Sequence, residues 1–153
     1  MGLFDFLKGK QPIVDEFFGP LTKYKEPEGE VFSCTTVFAP LNLKLDLIMD
    51  ALGEQSTSEQ KSFYKKVEAQ YNVLLSKIEL LVAQELKSIG ADYTVKDFSK
   101  EYELAAMDMP KLDRQPLKWS LTYLSTEKGK ADFRVDFKDF EPQPIDIILS
   151  PEA

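Results

Sequence analysis

Four carboxylates crowd one short stretch of this chain, Asp132, Asp136, Asp139 and Glu141, with Arg134 and Lys138 between them. Paired acids are groups that can serve as acid and base, or hold a hard cation such as magnesium or calcium through oxygen. The spacing fits no calcium loop. Asp132, Arg134, Asp136 and Lys138 also alternate in sign along one expected strand face, the pattern of a solvated ion-pair ladder. The segment therefore enters as an interaction candidate, with a carboxylate-based small-ligand or metal-binding protein or hydrolase as the alternative.

Other chemistry is constrained by what the chain lacks. It contains no histidine, which removes the commonest general base, the usual partner of serine and cysteine nucleophiles, and the commonest metal ligand. One cysteine, Cys34, stands between Ser33 and Thr35 in an expected strand, with no neighbouring positive charge to make a thiolate, so a buried inert thiol is expected. Phosphate-cradling glycine loops and the G-x-S-x-G elbow are absent. No catalytic, cofactor-binding or metal-ligating residue is assigned.

Three lysines form a second set of interaction candidates. Lys61, Lys65 and Lys66 fall in the first turns of an expected helix, where the macrodipole favours acids, and Lys61 with Lys65 is a like-charge pair one turn apart. They read either as a patch for an acidic group or as solvated side chains. Trp119, the single tryptophan, reads as a core anchor or an interaction hot spot.

These residues depend on a long helix and several strands for their positions. From Ser56 to Gly90, apolar residues recur at three- and four-residue steps, including Phe63, Val67, Tyr71, Leu74, Ile78, Val82 and Leu86. Ser56 with Glu59, or Thr57 with Gln60, supplies a capping box, and Gly90 supplies the stop. Such a helix would be on the order of 50 Å long, against about 40 Å for an average globule of this size. One end is expected to overhang, bend or break, with the lysine-bearing first turns favoured. The middle, Val67 to Val82, should lie on a sheet face carrying Trp119, Leu121, Phe133 and Val135.

Strand patterns surround the helix. A candidate over Glu16 to Tyr24 is broken by Gly19-Pro20, and Lys25 to Gly29 makes a turn. Val31 to Phe38 is β-branched and aromatic, and Leu43, Leu45, Leu47 and Met49 alternate with polar residues until Ile48 interrupts. A less regular strand covers Glu101 to Met109. Leu117 to Tyr123 and Phe133 to Phe137 alternate cleanly around the Glu127-Lys128-Gly129-Lys130 turn, and Ile145 to Leu149, flanked by prolines, suits an edge. The fold class is α+β: a mainly antiparallel sheet, with short connections, packed against one long central amphipathic helix. Residues 1–12 form a short amphipathic or disordered segment, and 13–153 a single domain.

Composition bounds the partners. With 153 residues and 43% hydrophobic content the chain can build its own core. Twenty-six acidic against nineteen basic residues leave a net charge of −7, which repels nucleic acid and favours a basic protein partner. The apolar runs are too short to span a membrane, no secretory signal or myristoylation motif is read at the start, and one cysteine suits a reducing cytoplasm. A homo-oligomer through the long helix is a further expectation.

Phe18-Gly19-Pro20-Leu21, the helix opening Ser58-Glu59-Gln60, and the late Phe133-Arg134-Val135-Asp136-Phe137-Lys138-Asp139 resemble the uncharacterised bacterial α+β domains found among immunity proteins of polymorphic toxin systems. That resemblance implies a bacterial interaction protein whose acidic surface neutralises a basic toxin domain. It carries over no catalytic residue.

Overall fold

The computed structural model describes residues 13–148. Nine strands form one sheet: β1 (Ile13–Asp15), β2 (Gly19–Glu26), β3 (Gly29–Phe38), β4 (Leu43–Asp50), β5 (Tyr102–Asp108), β6 (Lys118–Ser125), β7 (Asp132–Lys138), β8 (Glu141–Pro142) and β9 (Asp146–Ile148). They lie in sequence order from β1 to β8, with β9 also on the outer side of β7. One long helix, α1 (Ser58–Ser88), covers one face, and a single turn, α2 (Phe98–Glu101), precedes β5. The α+β expectation holds.

The connections differ from the expectation at one place. Every pairing is antiparallel except β4 with β5, which run parallel. Parallel neighbours need a crossover, and α1 is that crossover, carrying the chain back along the sheet before β5 begins. The expected first strand, Glu16 to Tyr24, is also corrected: 16–18 form a turn, Gly19 and Pro20 open β2 instead of breaking a strand, and β1 lies before the expected range. Asp15 accepts the amide hydrogens of Phe17 and Phe18 on Oδ1 at 2.9 Å each, folding a tight turn, and Gly19 opens β2 with φ +81°.

Of the two capping registers, Thr57 is used. Its Oγ1 accepts the Gln60 amide at 3.1 Å and Gln60 Oε1 accepts the Thr57 amide at 2.9 Å, while Gln60 Nε2 donates to the Asp50 carbonyl. Ser56 is unavailable as the cap because its amide and hydroxyl both donate to Asp15 Oδ2, at 2.8 and 2.6 Å. At the far end the Ala91 amide reaches Leu86 O and the Gly90 amide reaches Lys87 O, a Schellman closure with Gly90 at φ +69°.

The helix neither breaks nor leaves its first turns overhanging. Its buried residues run from Gln60 through Phe63 and Tyr64 to Leu86. Phe63 meets Trp119 edge-on at 5.2 Å, and Tyr64 packs edge-on against Phe18 and Phe38. The expected overhang assumed an average globule, whereas a single layer of eight strands in a row, spaced about 4.8 Å apart, is itself long enough to support most of the helix. Tyr123, which meets Tyr71 in the helix middle, stacks on Phe133, while Trp119 lies under the first turns and not under Val67 to Val82 as expected, and stacks on Phe137; each is a directly opposed cross-strand pair. Leu121 and Val135, also opposed, are fully buried between them. Where apolar surface this dense admits polar groups it pairs them: the Tyr71 and Tyr123 hydroxyls lie 2.7 Å apart, and burial pushes the Tyr71 phenol up to about 12.

Candidate functional site

Since α1 occupies one face of the sheet, the opposite face is what the fold leaves for function. Among the described residues no helix or further strand lies over it, although Ser120 within it is buried. Alternation puts one residue in two from each strand there, and the pairing registers align them into rows across β3 to β7. The first row reads Val31, Asp50, Lys118, Lys138; the second Ser33, Ile48, Asp108, Ser120, Asp136; the third Thr35, Asp46, Ala106, Thr122, Arg134; the fourth holds Val37 and Lys44. Leu124 pairs with Glu103 beyond a β-bulge between Leu104 and Ala106, continuing the fourth row towards β7.

One end of this face is walled. The β2–β3 turn at Pro27 and Glu28 and the segment from Met109 to Pro116 rise beside the first two rows and enclose a cleft of about 1180 Å³. Glu26, Glu28, Asp50 and Asp108 line it on the β2–β5 side, Lys118, Arg134 and Lys138 with Asp136 on the β6–β7 side, and Lys111 and Arg114 on the wall. Lys111 Nζ reaches both oxygens of Asp50, at 3.0 and 3.1 Å, and ties the wall to the floor. Asp108 is open to solvent on one side, but protein mass on the other withdraws it from water. That desolvation acts with Asp50, Asp136 and Glu26, against Arg134, to hold its carboxyl above the ordinary carboxylate range.

The four carboxylates singled out in the sequence do not converge. Asp132 accepts the Ser125 amide at 2.8 Å and closes the β6–β7 hairpin. Asp136 lies on the open face, its Oδ1 3.1 Å from Arg134 Nε, one step of the expected ladder. Asp139, at φ 54°, accepts the Leu117 amide and offers its carbonyl to Trp119 Nε1, so it builds a turn. Glu141 pairs with Lys77 of α1 at 2.9 Å. Among the described residues, no group of three or more Asp, Glu, Cys or His is arranged to hold a metal ion.

The lysines also separate. Lys65 sits over the Phe17 ring at 5.2 Å and Lys66 over Phe140 at 4.6 Å, each side chain lying along a different aromatic, while Lys61 is half-buried. Cys34 is buried on the core face, where desolvation first, then the charges of Asp15 and Asp46, push its thiol up to about 11. Trp119 is a core residue, with its Nε1 donating to Asp139 O at 2.6 Å.

Asp108 was missed in the sequence. Its signal was the alternation Met107-Asp108-Met109, which puts it opposite two buried methionines. Its neighbours come from β4, β6 and β7, and only the parallel pairing with β4 brings Asp50 and Ile48 beside it. No protein-family model, curated protein or solved structure matches this chain. No helix of the described residues is long and apolar enough to cross a membrane.

Proposed function

We propose that this chain is an immunity-type interaction protein of the bacterial cytoplasm that holds a basic protein partner against the β2–β5 half of its open sheet face. One observation carries the reading: the uncovered face sets acids around apolar side chains instead of scattering both. Tyr24 and Val31 stand side by side, Ile48 lies in the adjoining row at 40% exposure, and Glu26, Asp46, Asp50 and Asp108 surround them. Apolar residues at the centre of a polar rim are the anatomy of a binding surface, and complementary charge speeds encounter and sets register. The resemblance to immunity proteins and the net charge of −7 agree with this partner class. A reducing cytoplasm suits a chain whose single thiol is buried.

The test is paired capture from the native host. The wild-type chain should retain a basic protein at low salt and release it as salt rises, because the contact is partly ionic. Asp46→Lys, at an exposed position of the same half-face, should lose that protein while keeping the wild-type circular dichroism spectrum. Equal retention by wild type and Asp46→Lys would refute the assignment to this face.

A further inference from the structure

The rows on the open face have a property that a partner of one charge does not require: reversed end for end, their charges on β7, and Lys44 and Asp50 on β4, meet opposite charges. Turning a second copy over about a two-fold axis that runs across the strands, between the second and third rows, sets the first row against the fourth and the second against the third. Lys44 then faces Asp50 of the other copy, and Arg134 faces Asp136. Lys138 faces Asp132, which lies two residues beyond Arg134 on the same strand. Val31 faces Val37, placing apolar against apolar, whereas Ile48 faces Asp46, Asp108 faces Ala106 and Lys118 faces Leu124. No like-charged pair lies directly opposed in this arrangement, and each contact occurs twice by symmetry.

Shape selects this axis over the other one in the interface plane. A two-fold along the strands would bring the walled ends of both copies, raised by Met109 to Pro116, against each other. The axis across the strands lays the walled end of each copy over the fourth-row end of its partner, where the β6–β7 hairpin lines a smaller recess. Five strands about 4.8 Å apart and four rows about 6.7 Å apart give each copy on the order of 600 Å² of contact, hence about 1,200 Å² in total. That is the lower edge of a standard interface.

We infer that the chain, free of its partner, pairs with a second copy of itself through the open sheet face, about a two-fold axis across the strands. The pairing occupies the surface assigned above to the partner, so the two states exclude each other. It does not depend on that assignment, because it is read from the isolated chain.

Sedimentation equilibrium of the full chain tests it. At about 100 μM protein the wild type should be dimeric near 20 mM salt and monomeric near 500 mM, where the Debye length falls to about 4 Å. Lys44→Glu and Asp50→Lys should each be monomeric at low salt, and an equimolar mixture should recover a dimer of one chain of each kind. Only a symmetric contact between these two positions restores both pairs at once. Lys138→Glu, which alters an exposed lysine, should also dissociate the dimer and stands in if Asp50→Lys, by releasing Lys111, fails to fold. A wild type that stays monomeric at low salt overturns the inference. A dimer that persists in Lys44→Glu and Lys138→Glu but is lost in Leu80→Glu also overturns it, by moving the contact to the outward face of α1, where Val73 and Leu80 stand exposed.

Discussion

Replacing Asp15 should expose how the turn between β1 and β2 is fastened to the start of α1. Its carboxylate is 2% exposed and accepts four hydrogen bonds, from the amides of Phe17, Phe18 and Ser56 and from the Ser56 hydroxyl. Burial alone would raise its pKa, but the Ser56 hydroxyl and then the Phe18, Ser56 and Phe17 amides outweigh it and bring the value down from 3.8 to about 2. Such a depression corresponds to about 2.5 kcal/mol favouring the folded state when the group is ionised. Since the folded value lies below the unfolded one, that stability is fully present above pH 4 or so and is lost as pH falls towards 2. Asp15→Asn keeps an acceptor for Phe17 and Phe18 but turns an NH2 group towards the Ser56 amide, so at pH 7 it should cost roughly 2–3 kcal/mol. Urea unfolding of both proteins from pH 7 to pH 2, at constant ionic strength, measures the difference at each pH. The two stability curves should converge as Asp15 protonates and comes to resemble the amide. Curves that stay parallel from pH 5 to pH 2, or a cost at pH 7 below about 0.5 kcal/mol, would refute this account of the turn.

Two further changes probe the helix and its seat. Thr57→Ala removes the side-chain acceptor of the capping box and should lower urea stability by about 1 kcal/mol, whereas Ser58→Ala, at an exposed position, should be near neutral. Tyr71→Phe should cost about 1–2 kcal/mol by leaving the buried Tyr123 hydroxyl unpaired. The double change with Tyr123→Phe should cost less than the two single changes combined, and strict additivity in a double-mutant cycle would deny the hydroxyl pair its role.

Much of the architecture was legible because it follows from short-range periodicity. The 3.6-residue stripe from Phe63 to Leu86, the glycine stop at Gly90, and the alternation of Trp119, Leu121 and Tyr123 against Phe133, Val135 and Phe137 each depend only on residues near in sequence. The capping register was not decided locally, since Ser56 and Thr57 are both good caps. Asp15, 41 residues away, takes Ser56 and leaves Thr57 to the helix. The candidate site was less legible for the same reason. Asp132, Asp136, Asp139 and Glu141 are neighbours in sequence, but a strand followed by a turn sends them to a hairpin, a sheet face, a turn and a helix flank.

By itself, then, the sequence determined that this chain is one long amphipathic helix on a sheet, acidic, without histidine and with a single thiol. Those properties reside in composition and local period, which survive any rearrangement of the elements. Tertiary structure alone decided which carboxylates meet. The parallel pairing of β4 with β5 sets Ile48 beside Asp108, β6 and β7 align Ser120 and Asp136 in the same row, and the wall from Met109 to Pro116 makes that end of the open face concave. Strand order and register are long-range choices, driven by burying the core face of the sheet beneath α1, and the pattern on the opposite face is their consequence.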